Sequence, residues 1–68
     1  MKGIVDLIGN KELRRRFSAD SGRAVDDFAV LHAPEIRAYY RKGGYQITFE
    51  EAHQLACKVR RWFRELKP

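Results

Sequence analysis

The cations of the C-terminal segment are the residues of this sequence that are best placed to do chemistry. At helical spacing they lie on the arc of the helical wheel opposite an apolar stripe, so a helix here would carry several fixed positive charges along one face. That geometry suits the phosphate backbone of a nucleic acid. The predicted binding residues of this face are Lys58, Arg60, Arg61 and Arg64.

Two further basic groups extend the candidate surface. Lys11 and residues 14–16 form one group, and Arg37, Arg41 and Lys42 form another just before a double glycine. If all three groups fell on one side of the molecule, they would make a continuous electropositive surface. We expect the C-terminal cations to contribute most to binding, because a long helix holds them rigidly. The competing interpretation is that the cations are only the solvated outer faces of amphipathic helices.

Three tyrosines near the double glycine offer a second kind of contact with nucleic acid. Tyr39, Tyr40 and Tyr45 alternate with cations, and such interleaved aromatic rings can stack on single-stranded bases. Alternatively, Tyr39 or Tyr40 faces the core together with Ile36 and keeps its hydroxyl at the surface. Tyr45 is then the most accessible of the three.

Residues suited to metal binding or nucleophilic catalysis are few. His53 and Cys57 are four residues apart and would be neighbours on a helix, but a metal site needs further ligands and a catalytic thiol needs an oxyanion hole. His32 is the only other imidazole, and we expect it at the edge of the core, bonded to a carbonyl group or to water. A single cysteine cannot form an intrachain disulfide. The sequence therefore predicts no enzymatic activity, no metal and no cofactor.

The C-terminal segment carries the strongest helix signal in the chain. Thr48 and Glu51 form a capping box that starts the helix at Phe49, and Ile47 can pack on Ala52 as a hydrophobic staple. Apolar residues then recur at steps of three and four for about five turns. The turn of a helix-turn-helix motif contains a glycine, and residues 57–59 contain none. We therefore predict one continuous helix. In the alternative motif, the arginines at 60, 61 and 64 would enter the major groove.

Residues 44–51, which lead into this helix, read Gly-Tyr-Gln-Ile-Thr-Phe-Glu-Glu. The Gly-Tyr, Thr and Glu-Glu positions resemble the pattern of Nif11-type leader segments of bacterial modified peptides. The resemblance implies a helical recognition module whose partner is a modifying enzyme. After Glu51 the sequence departs from the pattern, because it continues into a long aromatic and basic helix with no double-glycine cleavage site and core peptide.

Glycine and proline divide the middle of the chain into shorter helices. Gly43 and Gly44 should end a helix over residues 34–42, for which Pro34 suits the first helical position. A separate helix is predicted over residues 22–32, capped by Ser21. It should end at Ala33, because the residue before a proline avoids the α-helical region.

The first twenty residues allow more than one arrangement. Residues 4–8 are mostly apolar, and Asn10 can cap a short helix that carries Leu13 and Phe17. Two short helices or one kinked helix fit this pattern equally well. Alternatively, residues 3–8 form a strand paired with residues 45–49, although a two-stranded pair alone is marginally stable in a domain of this size.

Length and composition restrict the fold to one small domain. The chain has 68 residues, of which 44% are hydrophobic, and a formal net charge of +5. The longest apolar run, residues 28–31, is too short to span a bilayer, so we expect a cytoplasmic protein with no membrane contact. We predict an all-α compact bundle of four to five short helices over residues 1–68, with a long amphipathic C-terminal helix. Its predicted core comprises Phe28, Ile36, Leu55, Val59, Phe63 and Leu66.

These features together predict a small, basic, regulatory protein that binds nucleic acid and has no enzymatic activity. The alternative is a protein-interaction adaptor or inhibitor. The wide apolar stripe of the last helix, with Trp62 near one edge, also favours a homodimer that would bury the excess apolar surface.

Overall fold

Four helices account for most of the chain in a computed structural model that describes residues 4–65. They are α1 (Ile4–Gly9), α2 (Lys11–Ala19), α3 (Val25–Lys42) and α4 (Phe49–Glu65). The predicted all-α bundle is therefore confirmed, and so is the start of the last helix at Phe49. Within the described range no strand is present, so the alternative of a strand before Gly9 is wrong. The two-helix arrangement of the N-terminal segment is the one observed.

The bundle is built around the pairing of α3 with α4. These two helices form the largest contact between elements, and the six residues that join them return the chain in the antiparallel direction. Two alanines on each helix, four residues apart, are buried, and such small side chains let helix backbones approach closely. The alanines are Ala29, Ala33, Ala52 and Ala56.

Side chains form hydrogen bonds with backbone amides at the start of two helices. Thr48 Oγ1 accepts a hydrogen bond of 3.1 Å from the Glu51 amide, and the Thr48 amide donates one of 2.9 Å to the Glu51 carboxylate. This reciprocal pair is the predicted capping box. The Asn10 side chain likewise accepts a hydrogen bond of 3.1 Å from the Leu13 amide, which confirms it as the cap of α2.

The end of α3 is closed by a glycine in the left-handed conformation. Gly44 has a φ of 88°, and its amide donates a 3.0 Å hydrogen bond to the Arg41 carbonyl. The Tyr45 amide donates a 2.9 Å bond to the Tyr40 carbonyl, which completes a Schellman motif. The Tyr40 and Tyr45 rings pack edge to face with centroids 6.4 Å apart and supply the hydrophobic contact typical of this motif.

The predicted break before Pro34 is wrong, because α3 runs continuously through that proline. A proline in a helix removes its own donor to the carbonyl four residues earlier, here that of Val30. Both Pro34 and Val30 are exposed, so the freed carbonyl lies on the face that solvent can hydrate. The predicted cap is also wrong: Ala24 precedes α3 with no side-chain bond, and the Ser21 hydroxyl donates to the Ser18 carbonyl instead.

The core confirms most of the predicted buried set. Phe28, Ile36, Val59 and Phe63 are all buried, whereas Leu55 is only half-buried. Leu66 lies outside the described residues. The core is completed mainly by residues from α1, α2, α3 and the loop before α4: Leu7, Leu13, Phe17, Tyr40 and Ile47.

Two phenylalanines of α4 provide a matched test of this core. Phe63 is 8% exposed and Phe49 is 57% exposed. We expect Phe63→Ala to lower the free energy of unfolding by roughly 3–5 kcal/mol, because it leaves a cavity among packed side chains. Phe49→Ala should lower it by less than about 1 kcal/mol. Urea denaturation of both variants measures the difference, and equal losses would contradict the assigned core.

Two glycines provide a second pair, which tests the Schellman motif. A β-carbon at either Gly9 or Gly44 meets no atom within 4 Å, but only Gly44 has a positive φ. We expect Gly44→Ala to destabilise the fold by about 1–2 kcal/mol through backbone strain. Gly9→Ala should instead stabilise it by about 0.4–1 kcal/mol, because alanine restricts the unfolded chain. Thermal unfolding of the two variants should therefore shift in opposite directions.

Candidate nucleic-acid interface

The exposed face of α4 carries a row of three cations. Lys58, Arg61 and Arg64 follow one another at a spacing of three residues, and all three are exposed. The acids of this helix are mainly in its first turn, at Glu50 and Glu51, so the positive charge is concentrated in the second half. Side chains three residues apart are neighbours on a helix surface, so the three cations repel one another in the free protein.

Arg60, predicted on the same outer face, is buried instead. It is 9% exposed, and its Nε donates a 2.7 Å hydrogen bond to the Arg23 carbonyl in the loop before α3. The placement on the outer face was wrong because the buried face of α4 extends beyond the edge of the apolar stripe that carries Ala56. Arg60 follows that edge, so its methylene groups are covered while its charged end reaches a carbonyl.

A contact between α2 and α4 brings a second basic group beside this row. The guanidinium carbon of Arg14 lies 5.5 Å from the ring centroid of the half-buried Trp62, within the range of a cation–π interaction. Lys58 is four residues before Trp62 on α4, so the two are neighbours on the surface of that helix. We call five exposed cations of these two contacting helices the α2–α4 basic surface; they are Arg14, Arg15, Lys58, Arg61 and Arg64.

The cations of the α2–α4 basic surface differ from Arg16 of the N-terminal group by having no carboxylate partner. Within residues 4–65, no ion pair engages any of them. Arg16, by contrast, lies 2.8 Å from the Glu12 carboxylate and 3.7 Å from that of Glu35. Sequence spacing could not reveal the junction at Trp62, because the two helices that form it are 30 residues apart in the chain.

The third basic group is divided between two sides of α3. The half-buried Arg37 donates from Nε to the Ile47 carbonyl at 3.1 Å, and its guanidinium lies 4.3 Å from the centroid of the Phe49 ring. Arg37 and Arg41 line an open cleft of about 480 Å³ together with Gln46, Ile47 and Thr48. Sequence analysis placed Phe49 in the apolar stripe and missed this exposed aromatic contact.

Lys42 lines a separate cleft and does not join Arg37 and Arg41. This second cleft measures about 320 Å³ and is bordered by α2 residues, among them Glu12 and Arg16. The whole third group is also distant from the cations of α4. Arg41 and Lys42 lie at the end of the bundle where α4 begins, whereas Arg61 is twelve residues into α4, about 18 Å further along its axis. The three basic groups therefore do not form one continuous surface.

The three tyrosines are arranged mainly as structural residues. Tyr40 is buried, which confirms that one of the adjacent pair faces the core, and burial raises the pKa of its hydroxyl above the usual 10.0. Tyr39 is half-buried, and its hydroxyl donates a 3.4 Å hydrogen bond to the Asp6 carbonyl. Tyr45 is 39% exposed and packs against Tyr40 at the end of α3.

Comparison with known proteins identifies no relative of this chain. No protein-family model matches the chain, and neither the curated proteins nor the solved structures give a match. Among residues 4–65, no group of three His, Cys, Asp or Glu side chains is placed to hold a metal ion. None of the helices in that range has the length and apolar character needed to cross a bilayer. The function is therefore argued from geometry alone.

His32 forms a buried polar contact that sequence analysis did not foresee. It is 4% exposed and lies between Phe17 and Phe28, with ring centroids 5.1 Å and 4.6 Å away. Its Nε2 lies 2.9 Å from the Asp20 carboxylate, so the expected carbonyl or water partner was wrong. The partner is twelve residues away, just after α2, and the contact ties the end of α2 to α3. Hydrogen bonds from Arg23 and then from His32 hold the pKa of Asp20 below its usual 3.8.

The lowered pKa of Asp20 predicts how acid destabilises the fold. Because the folded state holds this carboxyl ionised to lower pH than the unfolded state does, the contact stabilises the fold above pH 3.8 and is lost as pH falls below that value. The substitution Asp20→Asn removes this titrating carboxyl group. We expect the difference in urea midpoint between the parent and this variant to shrink between about pH 5 and about pH 3. A difference that stays constant over this interval would contradict the assignment.

Proposed function

We propose that the protein binds nucleic acid through the α2–α4 basic surface. The observation that supports this proposal best is a set of five exposed cations on two helices that meet where Arg14 contacts Trp62, with no carboxylate partner in the described residues. In this proposal the phosphate backbone supplies the missing negative charge. Arg37, Arg41 and Lys42 stay a separate prediction at the other end of the bundle, and Arg60 is left out because it is buried.

The energetics of the α4 row favour a polyanionic partner. Like charges at neighbouring positions weaken a helix by roughly 0.2–0.5 kcal/mol per pair. A phosphate backbone relieves this repulsion and releases condensed counterions, which is the main source of sequence-independent affinity for nucleic acids. The row also requires little ordering on binding, because the capping box and the contact with α3 already hold α4 in place.

The fluorescence of Trp62 can be used to follow binding at this surface. This residue is the only tryptophan of the chain, it is half-buried, and the Arg14 guanidinium covers its ring at 5.5 Å. A phosphate that binds Arg14 or Lys58 would change the charge next to the indole. Its fluorescence therefore reports on binding at the proposed surface itself, separately from binding elsewhere on the molecule.

The test compares two double variants that each remove two positive charges. Arg61→Gln with Arg64→Gln should weaken binding to duplex DNA and reduce the slope of log K against log salt by about one unit for each lost phosphate contact. The matched control is Lys11→Gln with Arg16→Gln, outside the α2–α4 basic surface, which should retain most of the affinity. Fluorescence titration at two salt concentrations, with duplex DNA, single-stranded DNA and RNA, measures both variants.

Circular dichroism checks that each variant keeps its helices, and neither double substitution should change stability by more than about 0.5 kcal/mol per site. Equal loss of affinity in the two variants would mean that only total charge matters. Absence of salt-sensitive binding in the parent would overturn the proposal.

The second candidate function, a protein-interaction adaptor or inhibitor, would then be preferred. It is favoured by apolar side chains exposed on α3, Val30 at 69% and Leu31 at 48%.

A further inference from the structure

The outer face of α3 is exposed and apolar over its central turns. Val30, Leu31, Pro34 and Ala38 are all exposed there. The two charged residues in this part of the helix are half-buried on its flanks, where Glu35 faces Arg16 of α2 and Arg37 bonds the Ile47 carbonyl. The exposed charges on this face lie only at its ends. They are negative at the N-terminal end, at Asp26 and Asp27, and positive at the C-terminal end, at Arg41 and Lys42.

The residues of this face are spaced evenly about Pro34, with opposite charges at its two ends. Asp27 and Arg41 lie seven residues before and after it, which is close to two helical turns in each direction, so all three share one line along the helix. Val30 and Ala38 lie four residues before and after it. A helix with this pattern is complementary to an antiparallel copy of itself, because rotation about the centre exchanges the acidic end with the basic end.

We propose that a second copy of this chain occupies the face, in a two-fold symmetric dimer in which the two α3 helices cross antiparallel at Pro34. Asp27 then meets the partner's Arg41, and the same contact occurs a second time by symmetry, as an isologous interface requires. Within residues 4–65, no ion pair engages Asp27 or Arg41 in the single chain. The apolar residues between these ends are covered in the dimer.

Charge complementarity favours a second copy over an unrelated partner. An unrelated helix would need its own basic and acidic ends at the same separation, whereas this chain supplies both. The contact involves one helix from each copy and is small compared with stable interfaces, so it belongs to the weak class of association. The cations of the α2–α4 basic surface are on other helices, so the proposed interface uses none of them.

Charge reversal provides a test that does not depend on nucleic acid. Sedimentation equilibrium of the full chain from about 10 μM to about 1 mM should show a monomer–dimer equilibrium. Asp27→Arg alone and Arg41→Asp alone should each weaken dimerisation at least about tenfold, because like charges would meet at both ends of the interface. An equimolar mixture of these two variants should dimerise, since each variant then meets the opposite charge on the other.

The mixture also separates a lost interface from a lost fold, because a variant that failed to fold would not be rescued by its counterpart. Pro34→Glu supplies an independent probe: it places two carboxylates on the symmetry axis and should abolish the dimer while leaving the helix intact by circular dichroism. A parent that stays monomeric throughout the concentration range would overturn the proposal. A dimer that persists in both single variants and in Pro34→Glu would also overturn it.

Discussion

The contact between α3 and α4, the largest between any two helices, is the constraint on which the rest of the molecule depends. Ala29 and Ala33 of α3 and Ala52 and Ala56 of α4 are buried, and on α4 the buried face extends past Ala56 to Arg60. Small side chains let helix backbones approach closely. This buried face fixes the rotation of α4 about its own axis.

That rotation determines which side chains of α4 are available to a partner. It turns Arg60 inward, where it bonds the Arg23 carbonyl, and it turns Leu55 and Trp62 partly outward. The short helices α1 and α2 cover the side that is left open, and Arg14 of α2 comes to lie over the Trp62 ring. This contact between α2 and α4 forms even though nothing in their own sequence segments requires it.

Local features of the fold were predictable because their partners lie within a few residues of one another. The capping box at Thr48, the Asn10 cap and the left-handed Gly44 each depend on contiguous sequence, and all three are observed. The extent of α4 was equally predictable from its uninterrupted apolar periodicity.

Features that depend on tertiary contacts were not predictable in this way. The tendency of proline to end a helix was overridden at Pro34, because the backbone hydrogen bond that this proline removes lies on the solvent face of α3. The burial of Arg60 depends on which edge of α4 meets its neighbour, and a helical wheel cannot supply that information. The contact between His32 and Asp20 joins residues on two elements whose approach only the folded chain decides.

The cations behind the net charge of +5 fall into two groups, those that make contacts within the fold and those that do not. Arg16 and Arg23 hold carboxylates, and Arg37 and Arg60 hold backbone carbonyls, so these four side chains contribute to the fold. The cations of the α2–α4 basic surface make no such contacts within the described residues, and those on α4 repel one another. Buried apolar contacts and helix caps define the fold without these side chains. For that reason the proposed contact with a negatively charged partner rests on them and not on the four cations that are already engaged.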